Sequence, residues 1–173
     1  KGRVHGGAQW RPKDGAIGGA IELDGLDDYV KLGTVIPAQD SYNFSIFVWV
    51  KGGGPGQVIA SQTDGLVAGS SWLSIDPIHG ALMTSCFDIT WPPLQSFAAI
   101  DDGGWHEIGL VVEWPRRRLY VDGIEVAEDS TELTVPIPSN GAMHFGTDKD
   151  QQASTFFKGM LDDIRIYNRA VEP

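Results

Sequence analysis

The stretch GGWHEIGLVVEWPRRRLYVDGIEVAED, Gly103–Asp129, predicts three consecutive antiparallel strands. A first run of β-prone residues, HEIGLVVE, ends at Trp114-Pro115, and a second run, RLYV, returns the chain. Asp122-Gly123 then separates that second run from IEVAED. An Asp-Gly pair between β-rich flanks suits a two-residue type I′ hairpin, because both central residues take a positive φ. The segment therefore predicts a β-meander.

The rest of the chain extends this prediction to an all-β protein. The 173 residues include 22 glycines and 10 prolines, which fall between short apolar runs. This arrangement is typical of strands joined by turns. The run NFSIFVWVK, Asn43–Lys51, is apolar on both alternating faces, so we expect a central strand that is covered on both sides. About twelve strands without an internal repeat predict a two-sheet antiparallel β-sandwich.

We expect a single domain over residues 1–173, a length that suits one hydrophobic core. The sequence begins at Lys1 rather than Met, so we interpret it as a piece of a longer multidomain protein. No run of about 18 apolar residues is present, and we expect no membrane insertion.

The charge balance narrows the class of partner. The 13 Lys and Arg residues against 23 Asp and Glu residues give a formal net charge of -10. This excess of negative charge disfavours binding to nucleic acid or to anionic membranes and leaves neutral or cationic partners. We interpret the only basic run, Arg116 to Arg118, as a solvated hairpin.

Several blocks together resemble a known family. The blocks are GGAIELDGLDDYVKLG, FSIFVWVK, DDGGWHEIGLVVE, RRLYVDGIEVA and FKGMLDDIRIYNRAV. In this order they resemble the laminin G-like branch of the concanavalin A-like lectin/glucanase superfamily, as found in bacterial secreted proteins, from about Gly18 to Val171. The resemblance implies a jelly-roll sandwich that binds carbohydrate or protein as an appendage of a larger protein. Fold alone does not choose between these functions.

Two acidic segments, ELDGLDDYV and GMLDDIRIY, raise the question of a metal site. The resemblance implies that the first and last strands lie side by side, so that Asp24 and Asp28 would meet Asp162 or Asp163. Relatives often carry a structural calcium, and Ca²⁺ takes six to eight oxygen ligands from carboxylates and carbonyls. The alternative is that Asp24 and Asp28 cap turns and that Asp162 accepts backbone N–H bonds. Both interpretations stay open.

The sequence argues against catalysis. Retaining glucanases of this superfamily carry two carboxylates on one strand, in the pattern E-x-D-x-E or E-x-D-x-x-E, because nucleophile and acid must face the same side. No such run occurs here, and EDSTE, Glu128–Glu132, has the wrong parity. We therefore predict that the domain has no catalytic residues.

Sugar binding has a recognisable residue chemistry, because pyranose C–H faces stack on flat aromatic rings beside polar side chains. In SWLSID, alternation that sends Leu73 and Ile75 into the core sends Trp72, Ser74 and Asp76 to the opposite face. These three residues form our first candidate ligand site. The alternative is that Trp72 covers a hydrophobic seam under a neighbouring loop.

A second candidate lies in the loop TWPPLQSF. Trp91 precedes two prolines that would hold the loop stiff, and a rigid exposed aromatic side chain loses little entropy on binding. We predict that Trp91 contacts ligand and that Gln95 accompanies it.

Our leading interpretation is a non-catalytic carbohydrate-binding or adhesion module that acts outside the cell or on the cell surface and binds an oligo- or polysaccharide. One alternative is a protein-binding laminin G-like module. Another is a divergent glycan-active enzyme, a hydrolase or lyase, with residues that converge only in space.

Overall fold

A computed structural model describes residues 2–35, 43–63, 69–85, 92–130 and 141–173. Within these ranges the chain forms fourteen strands and no helix. They are β1 (Arg3–His5), β2 (Gln9–Gly15), β3 (Gly18–Asp24), β4 (Tyr29–Leu32), β5 (Phe44–Gly52), β6 (Val58–Thr63), β7 (Gly69–Ile75), β8 (Ala81–Ser85), β9 (Leu94–Ala99), β10 (Trp105–Glu113), β11 (Arg116–Val121), β12 (Ile124–Ser130), β13 (Met143–Phe145) and β14 (Lys158–Tyr167). The described part of the chain contains no helix that is long and apolar enough to cross a membrane.

The strands form two antiparallel sheets that pack as a sandwich, which confirms the predicted fold class. The first, which we call the β5 sheet, has the order β12-β11-β10-β5-β14-β3-β2. The second, the β6 sheet, has the order β1-β4-β13-β6-β7-β8-β9. Most of the buried apolar side chains form one cluster, to which both sheets contribute.

The predicted meander is confirmed. Strands β10, β11 and β12 are consecutive neighbours at one side of the β5 sheet. At the β11–β12 turn, Asp122 has φ 52° and Gly123 has φ 76°, the left-handed values that this hairpin requires.

Strand β5 is the central strand of its sheet and is covered on both faces, as its sequence predicts. Its side chains that point into the sandwich are fully buried: Ile46, Val48 and Val50. On its other face, Phe47 is 2% exposed and packs against Tyr167. The Ser45 hydroxyl accepts a hydrogen bond of 2.8 Å from the backbone N–H of Val171. The segment that follows β14 therefore covers the outer face of β5.

The prediction that the arginine run is solvated is wrong for two of its three residues. Arg117 is 0% exposed and donates through its guanidinium group to the Asp129 carboxylate and to the Pro92 carbonyl. Arg118 is also buried and donates to Glu172 at 2.7 Å. The reason lies in the register, since β11 lies between β10 and β12 and Arg117 is the cross-strand partner of Asp129.

Candidate functional site

Trp72 does not face solvent, so the predicted orientation of this residue is wrong. Its side chain is 0% exposed and belongs to the main core cluster. The ring makes an edge contact with Phe44 at a centroid distance of 4.9 Å. Its Nε1–H donates to Oε1 of Gln62 at 3.3 Å, which satisfies the buried indole. Trp72 is therefore a core residue and presents no surface to a ligand.

A β-bulge explains this burial. Against β6, Ser61 pairs with Ser71 and Ala60 pairs with Leu73, so Trp72 is an extra residue on β7. An extra residue breaks the strict alternation of side chains. Trp72 and Leu73 are therefore both buried although they are consecutive.

Ser74 and Asp76 are also buried, at 3% and 1% exposure, against our expectation that they lie on an open face. The Ser74 hydroxyl donates to the Met83 carbonyl at 3.3 Å. Asp76 holds the turn after β7, because its Oδ2 accepts bonds from the backbone N–H groups of Ile78, at 3.1 Å, and His79, at 2.9 Å. Both side chains thus support local structure.

Asp76 stays ionised in this turn. Burial works to raise the pKa of Asp76, but the backbone N–H groups of His79 and Ile78 and the His79 ring together hold the pKa below its ordinary value. The His79 Nδ1 lies 3.0 Å from Oδ2 of Asp76. A charged carboxylate is therefore fixed just beneath the surface.

The structure brings two of the predicted residues together at this point. Gln95 is exposed on β9, and its Nε2 donates to Oδ1 of Asp76 at 3.2 Å. The same nitrogen lies 3.5 Å from Sδ of Met83. Since the amide nitrogen is held by these contacts, the amide carbonyl of Gln95 is directed away from Asp76 and is available to a donor. Trp91 lies outside the described residues, and its ligand contact stays a prediction.

Phe97, two residues further along β9, is an exposed aromatic residue that our reading of the sequence missed. Its exposure reaches 102%. Met83 pairs with Gln95 and Ala81 pairs with Ala99, so the three residues 96–98 oppose a single residue of β8. The bulge leaves Phe97 without a paired residue on β8, and its side chain points into solvent. The signal was present in LQSFAA, because a buried Leu94 implies by alternation that residues 95 and 97 point outward.

We call the surface formed by His79, Met83, Gln95 and Phe97, with Asp76 beneath it, the β9 rim. It combines a free aromatic face, an amide carbonyl and an exposed imidazole over a fixed carboxylate. These groups supply a stacking surface and hydrogen-bond partners within one short stretch of an edge strand. Such a combination suits a polar ligand with an apolar face.

The four predicted metal ligands do not form one site. Strands β3 and β14 are neighbours as expected, but Asp24 pairs with Lys158, four residues before Asp162. At about 3.3 Å per residue, that register separates the two aspartates by roughly 13 Å along the strand. Asp162 instead accepts a bond of 2.7 Å from the backbone N–H of Ile17, and Asp163 lies 3.1 Å from the Arg165 guanidinium.

The turn between β3 and β4 does gather three carboxylates. Asp24, Asp27 and Asp28 each offer an oxygen, and these oxygens lie within 4.8 Å of one another. Asp28 is buried and accepts bonds from the backbone N–H groups of Gly7 and, at 3.0 Å, Asp24. The turn-capping alternative therefore describes Asp28 well.

The side chains of this turn supply only part of the coordination shell that calcium needs. Three carboxylates are fewer than the six to eight oxygens that Ca²⁺ takes, so backbone carbonyls and water would have to complete the shell. Lys158, the cross-strand partner of Asp24, also places a cationic side chain at the edge of the cluster. Calcium binding stays a prediction, with Asp24, Asp27 and Asp28 as the residues that would hold the ion.

Comparison with known proteins identifies the fold. A laminin G family model, described as the concanavalin A-like lectin/glucanases superfamily, matches residues 24–173. None of the curated protein sequences compared with this chain matches it.

Among solved structures, domain 4 of the extracellular arabinanase AbnA from Geobacillus stearothermophilus, in complex with arabinotriose, superposes with a TM-score of 0.78 at 20% identity. The match covers 99% of this chain and 84% of that one. The binding domain of Paraclostridial Mosquitocidal Protein 1 gives a TM-score of 0.73 at 17% identity, and the receptor binding domain of botulinum neurotoxin D gives 0.73 at 13%. Each toxin match covers 99% of this chain but only 45% of the toxin domain. At these identities the likeness extends to the fold alone.

Proposed function

Because the chain belongs to the concanavalin A-like lectin/glucanases superfamily, we propose that it is a non-catalytic carbohydrate-binding module whose sugar-contacting surface is the β9 rim. The observation that carries this proposal is the ring of Phe97, which lies fully in solvent on the same edge strand as Gln95. A large apolar side chain in water contributes nothing to core packing, and its exposure suits a contact surface.

The side chains of the β9 rim are suited to binding a sugar. The Phe97 ring offers a flat apolar face on which the C–H face of a pyranose or furanose stacks. The amide carbonyl of Gln95 accepts a hydrogen bond from a hydroxyl group, while Asp76 fixes the orientation of that amide. Because the supporting groups are already hydrogen-bonded in the protein, ordering them costs little entropy on binding.

The structural neighbours support a binding function. The arabinanase domain was solved with arabinotriose, and the toxin structures are binding domains. We propose that this chain likewise attaches a larger protein to a polysaccharide outside the cell or on its surface, and that calcium at the β3–β4 turn is structural. Binding of a neutral oligosaccharide to the β9 rim needs no net positive charge on the module.

A protein ligand is the second candidate function. Strand β9 is an edge strand of the β6 sheet, and an edge strand presents unpaired backbone groups to an added strand of a partner. The exposed Phe97 would then be an anchor at a protein interface.

The test is a glycan array followed by calorimetric titration of the best neutral oligosaccharide. Phe97→Ala should weaken binding by about 1–3 kcal/mol, or roughly 5- to 150-fold, the loss expected for an aromatic contact. Trp10→Ala is the matched control, because Trp10 is an aromatic residue that is 67% exposed on β2 of the other sheet. Equal affinity of wild type and Phe97→Ala would rule out the β9 rim. Release of shortened sugars would contradict a non-catalytic module.

A further inference from the structure

The outer face of the β6 sheet carries a second group of chemically active side chains at its far edge. Arg3 and His5 lie on β1, Tyr29 and Lys31 on β4, and His144 on β13. Arg3 pairs with Lys31, His5 with Tyr29, and His144 with Lys31 in the strand register. Side chains at directly paired positions share one face at about 5 Å. We call these five residues the basic patch.

The basic patch holds two cations, Arg3 and Lys31. Within the described ranges, neither Arg3 nor Lys31 forms an ion pair with a carboxylate. By contrast, Arg11, Arg117 and Arg118 each pair with an acidic side chain. Two free cations on one face of a chain with a net charge of -10 are a local site of positive potential.

The buried histidine of the basic patch lacks hydrogen-bond partners. His144 is 2% exposed, yet neither its Nδ1 nor its Nε2 bonds to a protein atom among the described residues. Nε2 of His5 is buried and unbonded as well. These nitrogens are shielded from solvent, and of the two histidines only His5 lines the pocket at this patch. Tyr29 separates the two rings, stacked on His5 at 4.5 Å and edge-on to His144 at 5.5 Å.

A pocket opens at this patch. It has a volume of about 330 Å³ and is lined by Arg3, His5, Lys31, Leu32, Gly33 and Ala142. That volume is at the lower end of the range for small-molecule sites, about 300–1,000 Å³, and suits one sugar residue. Gly33 leaves space in the wall, because a Cβ atom built there would meet nothing within 4 Å.

We infer that the basic patch binds a carboxylate-bearing sugar, a uronic acid residue, with its carboxylate against Arg3 and Lys31. An arginine guanidinium group binds a carboxylate in a planar, bidentate geometry, and a lysine adds a point charge. The His5 ring lines the pocket, is held by its stack on Tyr29, and supplies the apolar flank that a sugar ring needs.

One acidic group whose charge acts on His144 of the patch is Asp148. Its Oδ1 already accepts a bond of 3.0 Å from the backbone N–H of Gln152, and the residue is nearly buried. It therefore does not neutralise Arg3 or Lys31. The basic patch is independent of the β9 rim, since β1 and β9 form opposite edges of the β6 sheet.

The test uses three probes in calorimetric titration: a trisaccharide of galacturonic acid, its fully methyl-esterified form, and sodium acetate. Wild type should bind the acid at least about tenfold more tightly than the ester, because only the acid carries charge. Acetate should bind more weakly than the acid, since it lacks the sugar ring. Equal binding of acid and ester, no binding of the acid, or acetate as tight as the acid would each overturn the inference.

Two glycine variants locate the site. Gly33→Glu places a negative charge in the pocket without backbone strain, and should lower affinity for the acid trisaccharide at least about tenfold. Gly54→Glu is the matched control, because its Cβ also meets nothing within 4 Å and it lies away from the pocket. Gly33→Glu should keep wild-type affinity for the neutral oligosaccharide that binds the β9 rim, which separates the two sites. Wild-type affinity in a folded Gly33→Glu variant would refute the basic patch as the site.

Discussion

Two histidines give the free energy of unfolding opposite pH dependences. His106 lies between two carboxylates, with Nδ1 2.8 Å from Asp122 and Nε2 3.1 Å from Asp102. Burial works to lower the pKa of His106, but the hydrogen bonds to Asp122 and Asp102 outweigh it and raise the pKa. The folded state therefore holds this proton more tightly than the unfolded chain does. The stabilisation is complete below the ordinary histidine pKa and is lost as the pH rises through the raised value.

His144 acts in the other direction. Its burial, with the charges of Lys31 and His5, lowers the pKa of His144, while Asp148 opposes this shift less strongly. The unfolded chain then takes up the proton first, so stability falls as the pH drops from the ordinary histidine pKa through the lowered value.

Urea unfolding between about pH 5 and pH 8 measures both effects. We expect His106→Gln to flatten the loss of stability at the upper end of this range and His144→Gln to flatten the loss at the lower end. Identical pH profiles for wild type and both variants would contradict the assignment.

At the scale of the element, the bulge in β7 predicts the energetic roles of two aromatic residues. Trp72→Ala should lower the free energy of unfolding by about 3–5 kcal/mol, because it leaves a cavity in the core. Phe97→Ala should change it by no more than about 0.5 kcal/mol, because this side chain packs on nothing. Urea unfolding of both variants checks the prediction. If Trp72→Ala lowered the free energy of unfolding only slightly, the ring would not be buried.

The pair of Arg117 and Asp129 predicts a second large effect. Asp129→Ala leaves the fully buried guanidinium group without its carboxylate, and should lower the free energy of unfolding by roughly 3–5 kcal/mol. Arg116→Ala is the control, because the exposed Arg116 side chain lies 3.6 Å from the exposed carboxylate of Glu128. This substitution should lower the free energy of unfolding by less than about 1 kcal/mol. Chemical denaturation that gives equal losses for the two variants would contradict this account.

Most of the strands were predictable from sequence, but β9 (Leu94–Ala99) was not, because it begins within TWPPLQSF, which we predicted to be a loop. The orientation of the side chains within β7 was not predictable either. Asp122-Gly123 identifies its hairpin by local chemistry, because few residue pairs accept a positive φ twice. The bulge at Trp72 depends on how β7 pairs with β6, and pairing is not encoded locally. The exposure of Phe97, by contrast, follows from the alternation of side chains after Leu94. For the same reason the sequence placed Asp24 beside the correct strand but not at the correct register with Asp162.

For the whole molecule, calcium is expected to act on global stability. If Asp24, Asp27 and Asp28 hold Ca²⁺, the ion binds only the folded state, and excess calcium should raise the melting temperature above that in EDTA. Asp27→Asn should reduce this difference. A melting temperature that is the same in calcium and in EDTA, for protein shown by elemental analysis to be calcium-free, would exclude the site.

The sandwich architecture of the chain was predictable from its pattern of short apolar runs and turns. The superfamily was predictable only from the resemblance of several sequence blocks to known members. The β9 rim was only partly predictable. Asp76 and Gln95 were both candidates and do meet, but the expected aromatic partner Trp72 is buried and Phe97 takes the exposed position. A buried tryptophan on β7 and an exposed phenylalanine on β9 of the same sheet differ from the exposed tryptophan that we predicted.

The most direct test of the central claim is chemical-shift mapping by NMR with the neutral oligosaccharide that binds best. We predict that the backbone amide signals of residues 76–80 and 94–99 shift on titration, while those of β2 and β3 in the other sheet do not. Loss of these shifts in Phe97→Ala would support the stacking contact. Shifts confined to any other surface, with residues 94–99 unaffected, would contradict the account.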